Sequence, residues 1–129
     1  NAAWPMDVMR KARKAFEAEG PAFLHAIVPC ARGWRYPPEK TIEVSRLATQ
    51  TCLFPLYECR LEGGRPVYEL SGPSTAVARR PESKKPVEEY LQMQGRFRHL
   101  FRPEKREDLI GSIQEWVDLN WQVLLEKAG

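Results

Sequence analysis

An α/β fold class follows from three stretches of the sequence. A helix-like segment runs straight into a near-continuous apolar run, two alternating segments flank a Glu-Gly-Gly-Arg turn, and a long periodic segment closes the chain. A helix followed by a buried strand is the closing half of a βαβ unit. The sequence therefore predicts the last helix–strand unit of a parallel sheet, then a helix, a β-hairpin and a long C-terminal amphipathic helix.

The first helix is expected from about Pro5 to Glu19. Pro5 suits a first helical position and Gly20 a stop just past the end. Val8, Met9, Ala12, Ala15 and Phe16 share one face, and Arg10, Lys11, Arg13 and Lys14 cover much of the rest, read as a solvated face before a docking patch. The run "AFLHAIV", Ala22 to Val28, is interrupted only by His25, the pattern of a strand buried on both faces. No second histidine lies near, so His25 reads as a hydrogen-bonded core or edge residue, not a metal ligand.

"PPEKTIEVSRLATQT" reads as a helix with Pro38 in its first turn and Ile42, Val44, Leu47 and Ala48 as its apolar positions. "PLYECRL" and "PVYEL" alternate around "EGGR", a hairpin signal. Cys52 and Cys59 fall before and on its first arm, as small packing residues. "SGPSTAVARRPESKKP" is turn-rich and charged, the pattern of a mobile surface loop. "PVEEYLQMQGRFRHLF" predicts a short helix stopped by Gly95, then a basic-aromatic segment. From Pro103 to Lys127, helical spacing joins Leu109, Ile110, Ile113, Trp116, Val117, Trp121 and Leu124, with the two tryptophans as core or interface anchors.

Bulk properties narrow the function. With 43% apolar and 29% charged residues the chain builds a core rather than a disordered tail. No apolar run spans a bilayer and no signal-peptide pattern is seen, so the expectation is a cytoplasmic protein without membrane association. The net charge of +3 is mild. Although "QGRFRHLFRPEKR" has the residue types that stack bases and bind phosphates, near-balanced charge favours a loop with Phe97, Leu100 and Phe101 packed inward, and no nucleic-acid partner is expected. Three cysteines without C-x-x-C spacing build neither a disulfide framework nor a four-cysteine metal site. The nucleophile-elbow, P-loop, dinucleotide-binding and zinc-protease motifs are all absent, and Glu88 and Glu89 read as a solvated pair. One position remains of interest. Cys30 lies two residues past the expected strand end, where ligands gather in open α/β sheets, with Pro29 and Gly33 making the backbone irregular. Its alternative is an inert structural thiol.

Taken together, "GPAFLHAIVPCARGWRYPPEKTIEVSRLATQT", "FPLYE" and "KPVEEYLQMQGRFRHL" closely resemble, in order, the C-terminal part of the β subunit of pyruvate:ferredoxin oxidoreductase and related 2-oxoacid:ferredoxin oxidoreductases. The resemblance implies an enzyme that cleaves a 2-oxoacid with thiamine diphosphate and Mg²⁺, releases CO2, passes the acyl group to coenzyme A and sends electrons through 4Fe–4S clusters to ferredoxin. It implies that residues 1–51 end a thiamine-diphosphate-binding α/β domain and that 52–129 form a C-terminal extension packing on it or on other subunits of the complex. It also implies that Cys30, in "VPCARGW", is the late cysteine that ligates the cluster next to thiamine; from proximity in sequence alone, Arg32, Gly33 and Trp34 are expected to form part of its surroundings. The family's early C-x-x-C, its third cysteine and its Gly-Asp-Gly…Asn segment are absent here. The chain is therefore expected to be inactive alone, with no catalytic residue of its own. Pyruvate is the leading substrate. The rival reading is a non-catalytic subunit-assembly module in which Cys30 is a packing residue.

Overall fold

A computed structural model describes residues 1–129. Helix α1 spans Pro5–Glu17, α2 is the single turn Ala31–Trp34, and α3 spans Thr41–Gln50 after a 3₁₀ turn at Pro38–Lys40. Strands β1 (Tyr57–Glu62) and β2 (Arg65–Leu70) follow, then α4 (Gly72–Arg79), a 3₁₀ turn at Pro81–Ser83, α5 (Val87–Gln92), a 3₁₀ segment at Gly95–Leu100, and α6 (Glu107–Ala128). The protein is thus helix-rich α/β, with a two-stranded antiparallel sheet and a long C-terminal helix. No helix is long and apolar enough to cross a membrane.

The hairpin forms as the alternation predicts. Tyr57 faces Leu70 and Glu62 faces Arg65 across the ladder. Gly63 and Gly64 close it with φ of 56° and 79°, the left-handed conformations that a tight two-residue turn requires. One core joins α3, α4, α5 and α6. Val44, Leu47 and Ala48 meet Val77, Val87, Tyr90, Leu91, Ile110, Val117, Trp121 and Leu124. Each helix supplies its apolar stripe, and α6 packs against both α5 and β2. Asn1 ties the start of the chain to α3 through Nδ2, which donates to the Ser45 carbonyl and to Thr49 Oγ1, both at 3.0 Å.

Four expectations need correction. Ala22–Val28 forms no strand, and no parallel sheet exists within the chain. No backbone group from Gly20 to Pro29 bonds to another backbone group; Phe23 is 89% exposed and Val28 73% exposed. A doubly buried strand needs a neighbour on each side, and this chain supplies none. His25 is likewise exposed, and its ring meets Phe23 and the edge of Phe54 rather than a polar partner. The stretch after the hairpin is not a loop. Pro73 occupies the first turn of α4, and Ser74 and Val77 are buried. The turn-forming residues there mark a helix start instead. Cys59 is exposed on β1, whereas Cys52 is buried as a packing residue.

Some apolar faces stay open. On α1, Met6, Met9 and Phe16 are exposed, Phe16 by 92%. On α6, Val117 and Trp121 face the core, but Trp116, Leu119 and Val123 lie on the outer side. The basic face of α1 is largely paired within the chain. Lys11 and Arg10 each hold the buried Asp7 at 2.9 Å, and Arg10 and Lys14 reach Glu58 on β1.

Candidate functional site

The chain leaves Pro29 and turns at once into α2. Cys30 is the N-cap of that turn, with extended backbone and its Sγ accepting a hydrogen bond from the Gly33 N–H at 3.3 Å. The Trp34 N–H donates to the Cys30 carbonyl at 2.8 Å, and the Tyr36 N–H donates to the Ala31 carbonyl at 3.1 Å. The turn ends at Arg35, in the left-handed region with φ of 60°. The unusual backbone that the sequence suggests for Gly33 therefore falls on Arg35. The outcome for Cys30 is an exposed thiol on a hydrogen-bonded turn, not a packed side chain.

A single helical turn is too short to hold itself. The support comes from the segment after α5. The Gly95 N–H donates to the Arg35 carbonyl at 2.8 Å. A side chain at position 95 would meet Arg35 Cβ at 2.8 Å and its carbonyl oxygen at 3.0 Å, so only glycine permits the approach. Arg96 then lays its guanidinium over the Trp34 ring, 3.9 Å from the centroid, and within 4.6 Å of the Phe97 ring. Its Nε donates to Gln94 Oε1 at 2.8 Å and its Nη2 to the Tyr90 hydroxyl at 3.2 Å. Gln94 and Tyr90 are each 1% exposed, and Gln94 Nε2 donates to the Tyr90 carbonyl at 2.7 Å. Burial pushes the Tyr90 phenol up, against the opposing pull of the Arg96 cation, so it stays protonated as Arg96's partner.

Sequence reasoning marked Cys30 and the "CARGW" turn but missed Gly95, Arg96, Gln94 and Tyr90 as its support. The only signal for them is the pairing of arginine with aromatics in "GRF". The arginines of this segment also divide in a way the sequence does not show: Arg96 turns inward, while Arg98 and Arg102 stay exposed.

As metal chemistry, the donor set is one thiol with one backbone N–H donor on its sulfur. That suits one corner of an iron–sulfur cluster, where thiolates bind the iron and N–H···S bonds tune it. No group of three or more His, Cys, Asp or Glu side chains gathers to hold a metal. Cys52 and Cys59 do not join Cys30, and burial pushes the Cys52 thiol up to about 12, far from metal-binding thiolate.

No family model matches the chain. Among curated proteins, pyruvate synthase subunit PorB of Methanocaldococcus jannaschii is 43% identical over 122 residues, 95% of this chain and 36% of that protein. Pyruvate synthase subunit PorB of Thermotoga maritima is 42% identical over 121 residues, covering 94% of this chain and 34% of the relative. Ketoisovalerate oxidoreductase subunit VorB of Pyrococcus abyssi is 40% identical over 126 residues, 98% of this chain and 36% of the relative. The chain is therefore related in sequence to subunits of 2-oxoacid oxidoreductases. In particular it matches one part of the PorB and VorB subunits, spanning 34% to 36% of the length of these relatives.

Proposed function

We propose that this chain is part of the β subunit of a 2-oxoacid:ferredoxin oxidoreductase, with pyruvate, coenzyme A and oxidised ferredoxin as substrates and acetyl-CoA, CO2 and reduced ferredoxin as products. The observation that carries this reading is a match of 40% to 43% identity along nearly the whole chain to PorB and VorB subunits. The complete enzyme acts in the cytoplasm with the other subunits of its complex. Thiamine diphosphate with Mg²⁺, when bound, supplies the decarboxylation chemistry, and its ligands lie outside these residues. In this reading residues 1–51 close the thiamine-binding domain and 52–129 extend over it. The unpaired apolar run from Ala22 to Val28 then takes its place beside strands that this chain does not contain, which accounts for its bare backbone.

Within that enzyme, Cys30 is one thiolate ligand of the 4Fe–4S cluster beside thiamine. The chain's own contribution is to hold that sulfur on a hydrogen-bonded turn, to give it the Gly33 N–H as a hydrogen-bond donor, and to brace the end of the turn by Arg96 over Trp34. The rival reading, an assembly module with Cys30 as a packing residue, is opposed by the exposure of Cys30. Iron per complex after anaerobic purification decides between them. Cys30→Ser is expected to lose one cluster's iron and 2-oxoacid-dependent ferredoxin reduction; native iron with native activity removes the ligand role.

A further inference from the structure

We infer that Arg96 is a positioning residue for Cys30, a clamp that sets the geometry of the thiol and its N–H···S bond from a segment distant in sequence. The inference rests on the reading of Cys30 as a cluster ligand. Three observations converge on it. The Cys30–Trp34 turn is one helical turn long and has no fully buried residue, only Ala31 and Trp34 packed against the edge of the core. Its far end is gripped twice, by the Gly95 N–H on the Arg35 carbonyl at 2.8 Å and by the Arg96 guanidinium 3.9 Å above Trp34. The grip is anchored in the core, because Arg96 is held by Gln94 Oε1 at 2.8 Å and the Tyr90 hydroxyl at 3.2 Å.

The chain of contacts runs in one direction. Tyr90 and Gln94 fix the guanidinium, the guanidinium fixes the indole, and the indole belongs to the residue next to Gly33, whose N–H donates to Cys30 Sγ. A fork with five donors suits this task, since it bonds two partners while its flat face stays on the ring. Without the clamp the turn loosens and the N–H···S bond weakens. A hydrogen bond to a ligating sulfur stabilises the more negative, reduced cluster, so losing it lowers the midpoint potential.

The test uses the whole anaerobically purified complex with Cys30→Ser, Arg96→Met and Arg96→Lys. Iron per complex, the electron paramagnetic resonance signal and the midpoint potential of the cluster are read for each. Arg96→Met is expected to assemble with native iron, with a broadened signal and a more negative potential. Arg96→Lys keeps a cation over Trp34 but loses the fork, and should fall between Arg96→Met and the native protein. Native signal and potential in Arg96→Met overturn the inference while leaving the Cys30 reading intact. Full iron with native activity in Cys30→Ser overturns both. If Arg96→Met does not assemble, Trp34→Leu, which removes the aromatic ring under the guanidinium, takes its place: a potential shifted the same way supports the clamp, and an unshifted one overturns it.

Discussion

Cys30, Cys52 and Cys59 show how one residue type takes two chemical characters from its surroundings. Cys52 sits in the core, at 3% exposure, and desolvation lifts its thiol to about 12. Cys30 and Cys59 are exposed. Brief alkylation of the folded chain with iodoacetamide at pH 8 is therefore expected to modify Cys30 and Cys59 and to spare Cys52, as read by peptide mass spectrometry. The raised thiol also has a stability consequence. The unfolded chain releases the Cys52 proton near its ordinary value of 9.0, before the folded chain does. Stability is thus fully present below that pH and is lost as pH rises from there toward 12. Comparing Tm at pH 8 and pH 10.5, the native chain should lose more than Cys52→Ala; equal losses would show that Cys52 does not titrate late.

At the scale of elements, the short 3₁₀ segment after α5 does more than its length suggests. It contributes Leu100 to the core and Gly95 and Arg96 to the turn at Cys30. Gly95→Ala places a methyl group 2.8 Å from Arg35 Cβ, so either the turn or the segment must move. The expected cost is about 1–3 kcal/mol, the range for overpacking, measured by denaturant unfolding. Leu91 in α5 is 2% exposed, and Leu91→Ala should cost about 2–5 kcal/mol through lost burial and the cavity left behind. A loss below about 1 kcal/mol would mean that Leu91 is not buried between α5 and the rest of the core in solution.

At the scale of the molecule, the apolar surface is unevenly placed. The core between α3, α5 and α6 is closed, while α1, the run from Ala22 to Val28 and the outer side of α6 present Phe16, Phe23, Val28, Trp116 and Leu119 to solvent. Scattered apolar residues are ordinary on a surface, but runs along one helix face mark an interface. Trp116 is 58% exposed. Trp116→Glu should therefore change the stability of the chain by less than about 0.5 kcal/mol. In the proposed complex it should reduce the yield of assembled enzyme on gel filtration. Normal assembly would place the subunit contacts elsewhere.

The sequence by itself determined the elements whose signals are local. α1, α3 and α6 follow from apolar spacing, with a proline in the first turn of α1, and the hairpin follows from alternation around Gly63 and Gly64, where positive φ is required. The resemblance to the PorB and VorB relatives was legible too, because it lies in consecutive residues. Tertiary structure decided what depends on a neighbour. The run from Ala22 to Val28 has the composition of a strand, but a strand exists only when another strand meets its backbone, and none does here. α4 reads as a loop by composition, and it becomes a helix because Ser74 and Val77 find a buried face against α3. Which arginine of "GRFRHLF" turns inward is likewise invisible in a line of letters. It is Arg96, because only there do two buried acceptors and an indole face lie within reach of one guanidinium.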